Sequence, residues 1–372
     1  MTPEPTQREP MEPTRAGGAA NRLLIVFPSW VGDAVMATPA AAMIRERLRG
    51  WFIGGLVRPG IDEVLEGAGL VDEMHVERAQ GMMGPKRVAG TLRPRRYQAA
   101  LLLTNSFSTA LVTRLAGIPR RVGYARDGRS LLLTERLEAP RRADGRYAPV
   151  SAVAYYLRAA RALLDGPRAE AGFEIPAGVR LRLTATAAQR QAGGEVLARA
   201  GAAPDEPLAI LNPGGNNPAK RWPAERFAEI GRRLAAGVAG VGRMRVLVNG
   251  SPAEAEVVSA VVGGIGAGAA SLAACGGTIG SLMGVLASGR ARIMVTNDTG
   301  PRHLAAALGV PVVTLFGPTD HRWTTIPVER ERIVLADPTL PESEVADDHP
   351  ERCRVDRIEV ETVWRAVGAL LA

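Results

Sequence analysis

The sequence predicts an α/β protein built as two doubly wound parallel-sheet domains. Three observations carry that expectation. Short, wholly apolar runs alternate with helix-like stretches, the pattern of buried parallel strands joined by crossover helices. The pattern begins twice in similar form, as LLIVFPSWVGD at 23–33 and LAILNPGGNN at 208–217. The chain has 372 residues, too many for one typical domain and comfortable for two.

Residues 1–20 are rich in Pro, Glu, Thr and Arg and lack an apolar period, so they are expected to form a disordered tail. The first domain is expected over 21–200. Its strand runs are 23–27, 52–57, 100–104 and 121–124. Helical stretches fall at 34–49, at 107–116 before Gly117 and Pro119, and at 150–164 before Gly166. The run at 23–42 could pass for a signal peptide, but Pro28, Ser29 and Asp33 interrupt it. A helix at 185–200 ends at Gly201, and 202–207 reads as a linker. The second domain is expected over 201–372. Its strands are 208–211, 245–249, 292–296 and 312–316, with a helix from Pro223 and an amphipathic helix at 360–371. The Gly/Ala/Ser-rich stretch 261–284 is expected to be a short helix pair with close backbone contacts.

Composition narrows the function. Two cysteines, Cys275 and Cys353, make no disulfide framework, and a reduced, cytoplasmic compartment is expected. No apolar run is long enough to span a membrane. The net charge of +8 favours an anionic partner. Zinc-finger spacings and aromatic RNA-binding motifs are absent, so nucleic acid is not expected. The positive charge is nearly all Arg, with Lys only at Lys86 and Lys220.

Four loops at the carboxyl ends of strand runs carry the candidate chemistry, the place where open α/β sheets bind ligands. In PSWVGD (28–33), Asp33 could take a proton from a hydroxyl, a contribution of ~10²–10⁴-fold in rate. It could equally cap the following helix, although Thr38-Pro39 offers a competing start. In NPGGNNPAKRWP (212–223), Gly214 and Gly215 let backbone N–H groups approach phosphate, and Lys220 could neutralise a diphosphate leaving group. In TNDTGPRH (296–303), the N–H groups of Thr299 and Gly300 sit at a helix start, which favours a phosphate by ~0.3–1 kcal/mol. Asp298 could cap that helix or hold sugar hydroxyls, and His303 one turn in could pack or touch a ligand. In NGSPAE (249–254), Glu254 could bind ribose hydroxyls or complement the helix dipole. No Asp-x-Asp, Walker A, G-x-G-x-x-G after the first strand, or G-x-S-x-G is present. No metal and no cofactor are therefore expected.

Together, PSWVGD, PGGNNPAKRWP (213–223), TNDTGPRH and FGPTDHRWT (316–324) resemble, in this order, the motifs of glycosyltransferase family 9, the lipopolysaccharide heptosyltransferases. The resemblance runs from Arg22 to the C-terminus and is nearer type II than type I. It implies a GT-B architecture, two Rossmann-like domains facing across a cleft. It implies an inverting enzyme that moves heptose from ADP-heptose to the lipopolysaccharide inner core. By resemblance Asp33 is the general base, Lys220 steadies the diphosphate, and Asp298 holds donor hydroxyls. Thr299, Gly300 and His303 contact phosphate, and Glu254 binds ribose, with Glu256 the alternative if the register shifts. The loop between Gly214 and Lys220 is about one residue shorter than the type II pattern, and Asn216-Asn217 stand where some relatives carry hydroxyls. The acceptor side rests on charge. Arg93, Arg95, Arg96, Arg120, Arg121, Arg126, Arg129, Arg141, Arg142 and Arg146 crowd the first half, and Arg121, Arg126 and Arg129 are expected to meet an anionic acceptor. A lipid-anchored acceptor implies peripheral contact with the inner membrane.

Overall fold

A computed structural model describes residues 21–78, 81–166 and 172–372. The expected tail at 1–20 lies outside the described residues. The chain divides into two compact units. Among the described residues, the first holds those up to Leu65, Gly69–Arg182 and Trp323–Ile326. The second holds Glu66–Ala68, Leu183–Arg322 and Pro327–Ala372.

In chain order, the first unit contains β1 (Arg22–Val26), α1 (Val31–Met36), α2 (Thr38–Arg47), β2 (Phe52–Val57), α3 (Ile61–Leu65) and β3 (Glu73–Val76). It continues with α4 (Gly84–Leu92), β4 (Ala99–Leu102), α5 (Phe107–Leu115), β5 (Arg120–Tyr124), β6 (Glu135–Leu137) and α6 (Ala152–Asp165). Its sheet runs β3-β2-β1-β4-β5-β6, all parallel. Leu23, Leu24 and Ile25 are fully buried, as a central parallel strand covered on both faces requires.

The single helical stretch expected after β1 is two helices. Pro39 has no N–H to offer the Val35 carbonyl four residues back, and the Thr38 hydroxyl takes that carbonyl instead at 2.7 Å. Thr38 is therefore not an N-cap; it lies inside the turn and accepts the Arg182 N–H at 2.9 Å.

The second unit contains α7 (Ala187–Arg199), β7 (Leu208–Asn212), α8 (Ala224–Ala236), β8 (Arg245–Val248), α9 (Ala255–Ile265) and β9 (Ala269–Ser271). It ends with α10 (Ile279–Leu286), β10 (Ala291–Asn297), α11 (Gly300–Ala307), β11 (Val312–Phe316), β12 (Glu331–Leu335) and α12 (Val360–Leu371). Its sheet runs β12-β11-β10-β7-β8-β9, again all parallel. Numbered within each unit, the two sheets share one order, 3-2-1-4-5-6, the dinucleotide-fold topology. The similar openings at 23 and 208 are thus the first strands of like units.

The expected division at 200/201 differs from the observed one at 182/183. Helix α7 packs on α10 of the second unit. The two helices meet backbone to backbone, since a Cβ on Gly193 would lie 2.6 Å from the Gly284 carbonyl carbon, and one on Gly284 1.9 Å from the Gln189 oxygen. The helix pair expected over 261–284 is instead the end of α9, the short strand β9 and α10. Strands β3, β6, β9 and β12 were not expected. Among the described residues no helix is long and apolar enough to cross a membrane.

Candidate active site

In each sheet the strand order reverses beside the first strand, between β1 and β4 and between β7 and β10. Loops leaving adjacent carboxyl ends at such a point diverge and leave a crevice.

In the first unit, Asp33 occupies the first turn of α1, directly after β1. The N-cap is Trp30, and Asp33 is the acidic residue of the helix's first turn. Its Oδ1 accepts the Tyr156 hydroxyl at 3.0 Å. Burial pushes the Tyr156 phenol well above its ordinary pKa, and the Asp33 charge adds to that, so the phenol stays a donor. The half-buried Asp33 opens on a hollow of about 150 Å³ lined also by Asn105, Arg126, Tyr147, Tyr155 and Trp323. Tyr155 stacks on Tyr124, ring centroids 3.6 Å apart, and donates to Asn105 Oδ1 at 3.2 Å.

The three expected acceptor arginines part company here. Arg126 lines the hollow, its guanidinium 3.7 Å above the Tyr147 ring. Arg121 does not reach an acceptor. It is buried and donates to the carbonyls of Leu132 (2.7 Å), Ile118 (2.5 Å) and Pro119 (3.2 Å). Arg129 is also corrected, being 0 % exposed. It donates to the carbonyls of Tyr124 (3.0 Å) and Thr104 and to Asn105 Oδ1 (3.2 Å), so it braces the wall of the hollow from behind. Burial lowers its pKa to about 10, which leaves it charged near neutrality. Much of the remaining arginine charge is paired internally: Arg95 with Glu73, Arg120 with Glu135, and Arg142 and Arg146 with Asp144.

In the second unit, the glycine turn after β7 and the helix start after β10 meet. Asn297 Nδ2 donates to the carbonyls of Pro213 (2.8 Å) and Gly214 (3.1 Å). Asn212 Nδ2 donates to Thr299 Oγ1 at 2.8 Å, and Asn249 Nδ2 donates to Asn212 Oδ1 at 2.6 Å. Three asparagines thus lace together the carboxyl ends of β7, β8 and β10. Glu254 reaches the glycine turn, and Glu256 stays exposed. Glu254 Oε1 accepts the Gly215 N–H at 2.5 Å, and Oε2 accepts the Ser251 N–H and hydroxyl at 2.7 and 2.8 Å. A Cβ on Gly214 would stand 2.1 Å from Glu254 Oε1, so the carboxylate lies over a backbone that only glycine leaves open. The Gly215 N–H expected to face phosphate is engaged by Glu254 in this structure.

Lys220 Nζ is 3.3 Å from Asp298 Oδ2. Asp298 Oδ1 also accepts from Arg302 at 3.1 Å. Arg302 has no exposed surface, binds both oxygens of Glu331 at 2.7 and 3.1 Å, and lies 4.9 Å above the Phe316 ring. Thr314 donates to Glu331 Oε1 at 2.6 Å. Burial alone would push the Asp298 carboxyl up. Arg302 and Lys220 outweigh it and hold it below its ordinary value. Thr299 is the N-cap of α11 and Gly300 its first residue. His303 is buried, its Nδ1 without a hydrogen-bond partner among the described residues. Burial first, then Arg302, lowers its pKa to about 3, so the ring is neutral. Among the residues expected at this site, Gly214, Gly215 and Lys220 follow β7, Glu254 follows β8, and Asp298, Thr299, Gly300 and His303 follow β10. Tyr156, Arg302, Glu331, Asn212, Asn249 and Asn297 were not expected. The apolar runs of β7, β8 and β10 each close on Asn, and that was the legible signal for three of them.

Known proteins are similar to this chain. The lipopolysaccharide heptosyltransferase 2 of Salmonella typhimurium is 26% identical over 325 residues, covering 84% of this chain and 87% of that protein. The lipooligosaccharide heptosyltransferase 2 of Haemophilus influenzae is 26% identical over 312 residues, covering 81% and 85%. The solved structure of Escherichia coli ADP-heptose LPS heptosyltransferase II superposes with a TM-score of 0.75 at 25% identity, covering 94% of this chain and 98% of that one. An E. coli heptosyltransferase with ADP-2-deoxy-2-fluoro heptose shares the fold, with a TM-score of 0.62 at 20% identity over 94% and 99% of the chains. Residues 86–352 match glycosyltransferase family 9 (heptosyltransferase), and the chain is a glycosyltransferase belonging to that family.

Proposed function

We propose that this enzyme transfers heptose from ADP-heptose to the inner core of lipopolysaccharide with inversion, as a type II heptosyltransferase. The observation that carries the reading is the Lys220–Asp298 pair at 3.3 Å beside the Gly214-Gly215 turn, at the switch point of the second sheet. A fixed cation next to glycine backbone and a helix start is suited to a diphosphate.

Asp33 accepts the proton of an acceptor hydroxyl, whose oxygen attacks the anomeric carbon. The bond to ADP breaks on the opposite face, and ADP leaves with the electron pair. Lys220 and the N–H groups of Thr299 and Gly300 meet the charge that builds on the leaving phosphate. His303, neutral, serves phosphate as a hydrogen-bond donor. Asp298 orients Lys220 and faces the donor sugar. Glu254 holds the glycine turn, and its remaining lone pairs suit ribose hydroxyls. Arg126 and the aromatic wall beside Asp33 suit an anionic sugar acceptor. Because that acceptor carries lipid, the enzyme works in the cytoplasm in peripheral contact with the inner membrane.

The test is donor binding by calorimetry with ADP-heptose, ADP-glucose and UDP-glucose, on the native chain and on Lys220→Ala. The proposal expects ADP-heptose to bind most tightly and Lys220→Ala to weaken it on the order of tenfold or more. Preference for a uridine donor would overturn the substrate assignment within the family.

A further inference from the structure

Lys86 is one of only two lysines in the chain, and the chemistry above leaves it unused. It lies in a segment of unusual charge. Residues 78–96 carry Arg78, Lys86, Arg87, Arg93, Arg95 and Arg96 and no acidic residue. Arg95 is held by Glu73. Among the described residues no carboxylate pairs with Arg78, Lys86, Arg87 or Arg96, and all four are exposed.

Apolar side chains stand beside this charge. Met82 is 97% exposed and Met83 51%. They lead into α4, whose inner face (Val88, Ala89, Leu92) is buried in the core under the sheet. Its outer face (Lys86, Arg87, Gly90, Thr91) is open to solvent. The outer face thus carries only small residues beside its cations, with two unbranched apolar side chains at one end. Met82 and Met83 follow β3 and so lie toward the carboxyl end of the first sheet. The other exposed large apolar residues of this unit, Trp30, Phe107 and Leu131, follow β1, β4 and β5. Met82, Met83, Trp30 and Phe107 thus lie toward the end of the sheet that carries Asp33, whereas Leu131 stands beside Leu132, whose carbonyl accepts from Arg121 at the start of β5.

We propose that Met82, Met83 and the basic outer face of α4 form a docking surface for an anionic lipid bilayer. Cations without internal partners are drawn to acidic headgroups, and methionines exposed to this degree lose least by entering the acyl boundary. The inference deepens the proposed function, because it brings the end of the sheet bearing the base to the surface that holds a lipid-anchored acceptor.

The experiment is vesicle co-flotation of the full chain with neutral phosphatidylcholine vesicles and with vesicles of phosphatidylcholine and phosphatidylglycerol at 7:3. Binding is expected to the anionic vesicles only and to weaken with salt. Lys86→Glu with Arg87→Glu should lower it on the order of tenfold or more, from the loss of two headgroup contacts. Met82→Ser with Met83→Ser should lower it several-fold while leaving the salt dependence in place. Both double variants should melt as the native chain does and turn over a delipidated, water-soluble acceptor at the native rate. Equal binding to neutral vesicles, or variants that float as the native chain does, would overturn the docking surface. So would a charge variant that loses turnover on the soluble acceptor and keeps vesicle binding, since the patch would then read the acceptor itself. Loss of vesicle binding in a protein with no transferase activity would leave the docking surface standing and remove the functional reading.

Discussion

Replacing Arg302 by Met tests how the donor site is held. Arg302 is fully buried between two carboxylates, with contacts of 2.7 and 3.1 Å to Glu331 and 3.1 Å to Asp298. Methionine fills a similar volume and removes the charge. Glu331 is then stranded with only the Thr314 hydroxyl among the contacts described above, and Asp298 keeps Lys220. Breaking a buried pair by removing one partner costs about 3–5 kcal/mol, because the partner's charge stays buried. For a unit of this size each kcal/mol moves the midpoint by about 2–4 °C, so Arg302→Met should melt roughly 6–20 °C lower. Adding Glu331→Gln removes one stranded charge while keeping an acceptor for Thr314, and should recover a large part of that loss. Both proteins are followed by circular dichroism melts, with ADP affinity measured alongside. Asp298 loses its Arg302 partner, so ADP affinity should fall in both. A single variant that melts within about 2 °C of the native chain would refute the reasoning, as would a double variant no more stable than the single.

Other consequences are smaller in scope. Tyr156→Phe removes a hydrogen bond to a carboxylate worth about 1.5–3 kcal/mol. It should lower kcat on the order of tenfold with donor KM unchanged, read from steady-state kinetics. Gly214→Ala places a Cβ 2.1 Å from Glu254 Oε1 and should weaken ADP binding, with Gly214→Ala/Glu254→Ala restoring part of the fold stability in melts. His303 is lowered from 6.5 to about 3 by burial and Arg302, so the unfolded chain takes up its proton first as pH falls. The stability from keeping this ring neutral is therefore complete above pH 6.5 and is lost progressively below it. That loss reaches about 2 kcal/mol by pH 5, and His303→Gln should flatten this limb in urea titrations at pH 7.5 and 5.

The central strands were legible because burial on both faces writes them as unbroken apolar runs, as in LLIV of β1 and VVTLF of β11. The edge strands were not. EMHV of β3, AAS of β9 and ERIVL of β12 are half-exposed and mix charge or small residues into the run, so alternation and apolarity both fade. The loops of the site were readable as motifs, since glycine, lysine and asparagine at strand ends have few structural uses together. What each side chain touches was not. Arg121, Arg126 and Arg129 look alike in sequence, yet two are buried against carbonyls and one opens on the hollow. An arginine's partner is set by tertiary approach, as Arg302 shows by pairing with Glu331 29 residues away on β12. The break between α1 and α2 was written in Pro39. The consequence for Thr38, a hydroxyl replacing a missing N–H, needed the backbone to be seen.

The most direct test of the account is acceptor-dependent release of ADP from ADP-heptose by the purified protein, with heptosyl-Kdo₂-lipid A as acceptor, beside Asp33→Ala. The native chain should turn over and the variant should lose about 10²-fold or more, with ADP-heptose affinity kept. Equal turnover in both proteins would contradict Asp33 as the base, and no turnover by the native chain with this pair would contradict the proposed substrates.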